Sequence, residues 1–282
     1  MDRPQFAESN SLAQTLGQQL IDGLLSWKVD FGLERSVRIS PAGIYPNRFL
    51  ISLDLNAVSQ PAAQLTATLD KLDCPADASA QCQHYLKNAS HVHWGFEDQA
   101  DAPLYKVYLE FADPLRPAPH SLQSMSDGGA LQFVSWKWQV HQQISHQTLY
   151  SRMDHWTWET LQDHIAADLS QADHQDFSHE ILSVLRLLAN RISHRFVRTL
   201  QVTERTSQRH SWDANLYDFQ ISCEPILPAI QSLATIYRWD EVSVSELCQK
   251  IRHDQLGHIA VGIHRNQLPF LTVYHGVELH RA

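Results

Sequence analysis

The sequence predicts an α+β fold: a closed, ten-stranded antiparallel β-barrel built from repeated α-β-β-α units, with a polar interior and an outer ring of helices. Three observations predict it. Segments of helical period alternate with paired segments of strand period along the 282 residues. Each strand segment has an apolar face, which wants a helical cover, and a polar face, which suits a lumen. Four of the second strands in these pairs repeat one short pattern: a polar residue, an aliphatic residue and a tyrosine. Alternation by itself fits an open sheet equally well, and closure is preferred because it leaves no unpaired edge.

The helical segments come first. Residues 9–31 carry Leu12, Leu16, Leu20 and Leu24 at near-helical spacing, and 60–88 reads as one or two helices with Leu65, Leu69, Leu72 and Leu86. Residues 157–193 carry the stripe Phe177, Ile181, Leu185, Leu188 and Ile192. Residues 225–253 carry Ile226, Ile230, Leu233 and Tyr237, then Leu247 and Ile251. Core packing accounts for all four stripes. Hairpins are expected near 36–56, 90–112, 130–152, 195–219 and 257–278. The stretch 113–129, with Asp113, Pro114, Pro117, Pro119 and Ser126-Asp127-Gly128-Gly129, reads as a loop joining two hairpins. No composition shift or Pro/Gly/Ser linker divides the chain, so residues 1–282 are expected to form a single domain.

Composition excludes several classes. The net charge of −9 argues against general nucleic-acid binding, which needs a basic surface. No apolar run approaches the roughly 20 residues of a membrane span, and the N-terminus lacks a signal-peptide core. Cys74, Cys82, Cys223 and Cys248 form no CxxC pair, so a cytoplasmic protein is expected.

Alternation assigns the faces. Arg48, Leu50, Ser52 and Asp54 oppose Phe49, Ile51, Leu53 and Leu55; His91, His93, Gly95 and Glu97 oppose Val92, Trp94 and Phe96. Lys106, Tyr108 and Glu110 oppose Tyr105, Val107, Leu109 and Phe111; Ser135, Lys137 and Gln139 oppose Val134, Trp136, Trp138 and Val140. The repeated triplets are Lys106-Val107-Tyr108, Thr148-Leu149-Tyr150, Asn215-Leu216-Tyr217 and Thr272-Val273-Tyr274. Tyrosine favours strands in any case. Four such triplets on equivalent strands also suit a ring of Tyr108, Tyr150, Tyr217 and Tyr274 whose π faces stabilise a cation inside the barrel.

This repeat resembles the αββα-barrel (ABBA) prenyltransferases, and within them the cyanobactin-type peptide prenyltransferases. The sharpest match lies in 33–50: Leu33-Glu34, Ser36, Ile39 and Arg48-Phe49-Leu50 stand at the family's spacing without a gap. Ser126-Asp127-Gly128, Lys106-Val107-Tyr108 and Val273-Tyr274 match more loosely, and Thr272 stands where the family's last strand carries a basic residue. The resemblance implies transfer of an isoprenyl group from an allylic diphosphate to a nucleophilic, often aromatic, side chain of a peptide or to a small aromatic molecule, by a monomer. A heavily anionic leaving group needs basic donors and Mg²⁺. Arg48, Lys106 and Lys137, each on the lumen face of its strand, are the candidate donors, and the four tyrosines the candidate carbocation shield; the resemblance assigns the base to Glu34, whose carboxyl pKa a partly apolar barrel mouth would raise.

Two other readings compete. His91-Val92-His93-Trp94-Gly95-Phe96-Glu97 has the HxHxxxE spacing of cupins, and His91, His93 and Glu97 would then hold Fe, Mn or Zn in an oxygenase. No second half of that motif follows, and 17 histidines make a chance HxH expected. The other reading is a non-catalytic barrel that binds an apolar ligand or peptide.

Overall fold

The computed structural model describes residues 11–99, 102–126, 129–192, 195–204, 207 and 209–282. Helix α1 spans Ser11–Leu25, followed by strands β1 Phe31–Ser40 and β2 Gly43–Asp54. Helices α2 Pro61–Lys71 and α3 Ala76–Tyr85 precede β3 His91–Glu97 and β4 Leu104–Glu110. The short helix α4 His120–Gln123 leads to β5 Ala130–Gln139 and β6 Ser145–Met153. Helices α5 Trp158–Ser170 and α6 Gln175–Ile192 precede β7 Thr199–Glu204 and β8 His210–Asn215. Helices α7 Leu227–Tyr237 and α8 Glu241–Ile251 precede β9 Leu256–Ile263 and β10 Pro269–His280. The strands pair in the order β1-β10-β9-β8-β7-β6-β5-β4-β3-β2 and close into a barrel.

The chain packs as two compact units, one drawn from Met1–Arg35, Asn47–Ser151 and Glu278–Ala282, the other from Ser36–Pro46 and Arg152–Val277. In the first, the apolar strand faces (Ile51, Leu53, Val92, Trp94, Val107, Leu109, Val134, Trp136) bury against Leu20, Ile21, Leu24, Leu65 and Leu69 of the helices. Three polar tips in this layer find hydrogen-bond partners, which offsets the cost of burying them. Trp27 Nε1 donates to Thr68 Oγ1 (3.0 Å), Trp138 Nε1 to the Leu72 carbonyl (2.9 Å) and Tyr105 Oη to the Leu16 carbonyl (2.9 Å). In the second unit, Val37, Ile39, Trp212, Ile259, Val261, Leu271 and Val273 pack with Trp158, Phe177, Ile181, Leu185, Ile230 and Val244. Thr157 caps α5 by accepting from Thr160 N, and Asp240 caps α8 by accepting from Ser243 N.

Several boundaries differ from the sequence reading. The span 9–31 holds two elements: Lys28 takes a left-handed backbone (φ 52°), α1 stops at Leu25, and β1 starts at Phe31. Leu12 of the predicted stripe is exposed. Glu34 is therefore a strand residue. The loop 113–129 contains the one-turn helix α4. The third triplet breaks, because β8 ends at Asn215 and Tyr217 lies in a 3-10 turn, Tyr217–Phe219. The Asn215 side chain accepts the Tyr217 N–H (3.3 Å), and this local bond turns the chain out of the strand. Of Ser126-Asp127-Gly128, Asp127 and Gly128 lie outside the described residues; Ser126 Oγ bonds the Gly129 carbonyl (2.8 Å) and Ser151 Oγ (2.5 Å).

Strands β8 and β9 approach so closely at Ser211 and Gly262 that a Cβ on Gly262 would overlap the His210 carbonyl and the Ser211 side chain. Gly262→Ala is expected to destabilise the protein by about 1–3 kcal/mol, read as a lower urea midpoint with an unchanged m-value.

Candidate active site

In the first unit, β2, β3, β4 and β5 lie side by side, and their register stacks the face turned away from the helices into cross-strand rows. The row nearest the β3–β4 hairpin turn is Arg48, Glu97, Leu104 and Gln139. Next come Leu50, Gly95, Lys106 and Lys137, then Ser52, His93, Tyr108 and Ser135, then Asp54, His91, Glu110 and Phe133. Successive rows are about 7 Å apart, two residues along a strand.

The first two rows form a basic patch. Arg48, Lys106 and Lys137 are each under 10% exposed. Glu97 ties two of them together: its Oε1 accepts from Arg48 Nη2 at 2.5 Å and from Lys106 Nζ, while Gln99 Nε2 donates to its Oε2 at 2.7 Å. Lys137 stands directly across from Lys106. Opposed like charges on neighbouring strands repel, an arrangement suited to an anion lying between the two ammonium groups. Gly95 makes room for this row, since a Cβ there would stand 3.3 Å from Lys106 Cβ.

The next two rows are aromatic and titratable. Tyr108 and Tyr150 meet with ring centroids 5.6 Å apart, and Phe133 lies 6.0 Å from Tyr150 and 5.6 Å from His93. His93 is held at both nitrogens, by Ser52 Oγ at Nδ1 (2.7 Å) and by Glu110 Oε2 at Nε2 (3.0 Å). Burial pushes the Glu110 carboxyl pKa up, but hydrogen bonds from His93 and Gln132 and the charges of His93 and His91 outweigh it and hold it below its ordinary value.

In the second unit, His258 on β9 donates from Nδ1 to Asp213 Oδ1 (2.9 Å) and lies edge-on to Tyr217 (5.4 Å) and Tyr274 (5.8 Å). Arg38 lies over the Phe270 ring at 4.1 Å. Glu204 accepts from Arg209 Nη1 (2.9 Å) and from Arg265 Nε and Nη2 (2.6 and 2.9 Å).

Among the eight candidate residues, the structure joins Arg48 and Lys106 through Glu97, sets Lys137 opposite Lys106, pairs Tyr108 with Tyr150, and brings Tyr217 and Tyr274 to one histidine. Glu34 is buried on β1, on the face opposite Leu33. Arg48 does not pair with Asp54, which lies six residues along β2 and instead caps the following turn. The cupin triad does not assemble. His93 and Glu97 lie on one strand, about 13 Å apart along it, and Glu97 is committed to Arg48 and Lys106. No three His, Cys, Asp or Glu side chains converge on a metal site among the described residues. Burial pushes the thiols of Cys74 and Cys223 up to about 12, so neither suits a nucleophile. Sequence reasoning missed Glu97 as an ion-pair hub, the Ser52–His93–Glu110 chain, His258 and Arg38. Their shared polar faces were the available signal, but alternation does not say which neighbours meet.

No family model matches the chain, and no curated protein matches it in sequence. Among solved structures, it superposes on 5-dimethylallyltryptophan synthase from Streptomyces coelicolor with a TM-score of 0.58 at 12% identity, covering 86% of this chain and 80% of that one. AnaPT from Neosartorya fischeri gives 0.55 at 11% identity (86% and 77%). NotF prenyltransferase in complex with brevianamide F and DMSPP gives 0.53 at 13% identity (86% and 79%). The fold is that of the αββα-barrel prenyltransferases. Among the described residues, no helix is long and apolar enough to cross a membrane.

Removing the charge of Glu97 leaves Arg48 and Lys106 buried beside each other and beside Lys137. Glu97→Gln is expected to cost about 3–5 kcal/mol, measured as the drop in unfolding free energy.

Proposed function

We propose that the protein transfers an isoprenyl group from an allylic diphosphate to an aromatic or heteroatom nucleophile. The observation that carries this reading is the buried patch of Arg48, Lys106 and Lys137, one row from the Tyr108–Tyr150 pair, on a fold shared with prenyltransferases. Breaking the allylic C–O bond puts its electron pair on the diphosphate, and pre-placed cations favour that charge build-up. The carbocation left behind is matched to tyrosine faces, at about 0.5–2 kcal/mol per ring. Tyr108 and Tyr150 supply that lining beside the basic patch. Glu34, buried on β1, takes the proton of the acceptor's heteroatom. The acceptor is a peptide side chain or a free indole or phenol, and the match at 33–50 favours the peptide.

Among the described residues, no cluster of side chains builds a Mg²⁺ cage. Glu97, the carboxylate within the patch, is spent on two cations and a glutamine amide. Mg²⁺ would be held by the donor's phosphate oxygens, its usual partners, where it would add charge compensation. The three basic side chains already supply such compensation, so transfer is expected to persist in EDTA at a reduced rate; complete loss would assign the metal a larger part.

The test is incubation with dimethylallyl diphosphate and peptides containing Trp, Tyr, His or Arg, following pyrophosphate release and the added isoprene mass. Lys106→Ala and Lys137→Ala are each expected to lower kcat/KM by about 10²–10³-fold. Glu34→Gln is expected to abolish transfer while leaving pyrophosphate binding intact. No product with C5, C10 or C15 donors would overturn the reading.

A further inference from the structure

The Ser52–His93–Glu110 chain plays no part in the mechanism above, yet it has the layout of an acid–base device. Glu110, held ionised, accepts Nε2–H of His93 at 3.0 Å. That bond fixes the tautomer and leaves the Nδ1 lone pair as the acceptor, and Ser52 Oγ–H donates to it at 2.7 Å. The other groups facing His93 are His91 on its own strand (ring centroids 6.2 Å apart), Tyr108 from β4 (6.4 Å) and Phe133 from β5 (5.6 Å). His91 also reaches the Glu110 carboxylate, at 3.8 Å. The imidazole is about 13% exposed and the carboxylate about 15%, so both reach the lumen while much of their surface is dry. A purely structural His–Glu contact does not need a hydroxyl aimed at the second nitrogen. Nor does it need a wall of three aromatic rings one row from a basic patch.

We propose that His93, oriented by Glu110, is a second proton acceptor in the reaction, distinct from Glu34, and that its Nδ1 receives the proton released from the acceptor atom that forms the new bond. This rests on the prenyl-transfer reading. The allylic C1–O bond breaks and its electron pair leaves on the diphosphate. A ring carbon of the acceptor forms the bond to C1 and becomes sp³, leaving the positive charge spread over the rest of the ring. Its C–H proton moves to Nδ1, the C–H electron pair restores the aromatic ring, and the imidazolium charge is balanced by Glu110. Ser52 marks the position from which a proton reaches His93, and its hydroxyl yields that place to the acceptor. The pair thus fits an aromatic carbon acceptor, whose proton leaves only after the bond is made.

The experiment is the pH dependence of initial transfer rates with dimethylallyl diphosphate and Trp- and Tyr-containing peptides. The wild type is expected to lose activity as the pH falls. His93→Gln should lower kcat by about 10²–10⁴-fold with the donor KM unchanged. His93→Ala should recover part of its rate with added imidazole. Glu110→Gln removes the charge that favours the imidazolium, so its acid limb should shift to lower pH. A wild type that transfers, with a His93→Gln variant of equal kcat and the same acid limb, overturns the proposal and leaves the transfer reading standing. A wild type that turns over no donor overturns the transfer reading itself. If His93→Gln fails to fold, an unshifted Glu110→Gln acid limb overturns the proposal.

Discussion

Side chains on a strand alternate strictly, and this constraint organises the molecule. Once Trp94, Trp136, Val107 and Leu109 are pressed against helices, their neighbours Gly95, Lys106, Tyr108 and Ser135 have one direction left. The hairpin register then sets which of them share a level. A slip of one residue in β4 would send Lys106 and Tyr108 into the helix layer and Val107 into the lumen. The tryptophans therefore hold the site in place although none belongs to it. Their large apolar area makes the slipped alternative costly, and the indole N–H bond from Trp138 to a helix carbonyl adds direction.

Within that frame the charges are segregated by row. The cations sit near the β3–β4 turn, and the His93–Glu110 pair sits one to two rows beyond the lysines. Tyr108, Tyr150 and Phe133 lie beside that pair. Opposite charges in a low-dielectric interior would collapse onto one another if placed side by side. Spacing them along rigid strands keeps a basic end for an anion and a separate end for a proton. Glu97 is the exception, and it makes the basic end foldable: two cations share one carboxylate, and the pairing lowers the cost of burying them.

How much of this was legible can be argued residue by residue. The five hairpins and the helix pairs between them follow from periodicity, because an element's period is a local property. The faces of Arg48, Lys106, Lys137, Tyr108 and Tyr150 follow from the same period of two. Tyr217 was misplaced because Asn215 bonds its backbone N–H and ends the strand, a side-chain contact that competes with the ladder and leaves little trace in the pattern. The end of α1 was misplaced because the break at Lys28 depends on a left-handed residue that is not glycine.

The sequence by itself determined the elements, the polar and apolar faces, and the chemical character of the lumen as basic, carboxylic and rich in tyrosine. Only the tertiary structure decided the partners: Glu97 with Arg48 and Lys106 rather than with a metal, His93 between Ser52 and Glu110, and Tyr217 beside His258. Those pairings depend on register between strands far apart in the chain. Register is fixed by packing against the helices, which no local stretch of sequence contains.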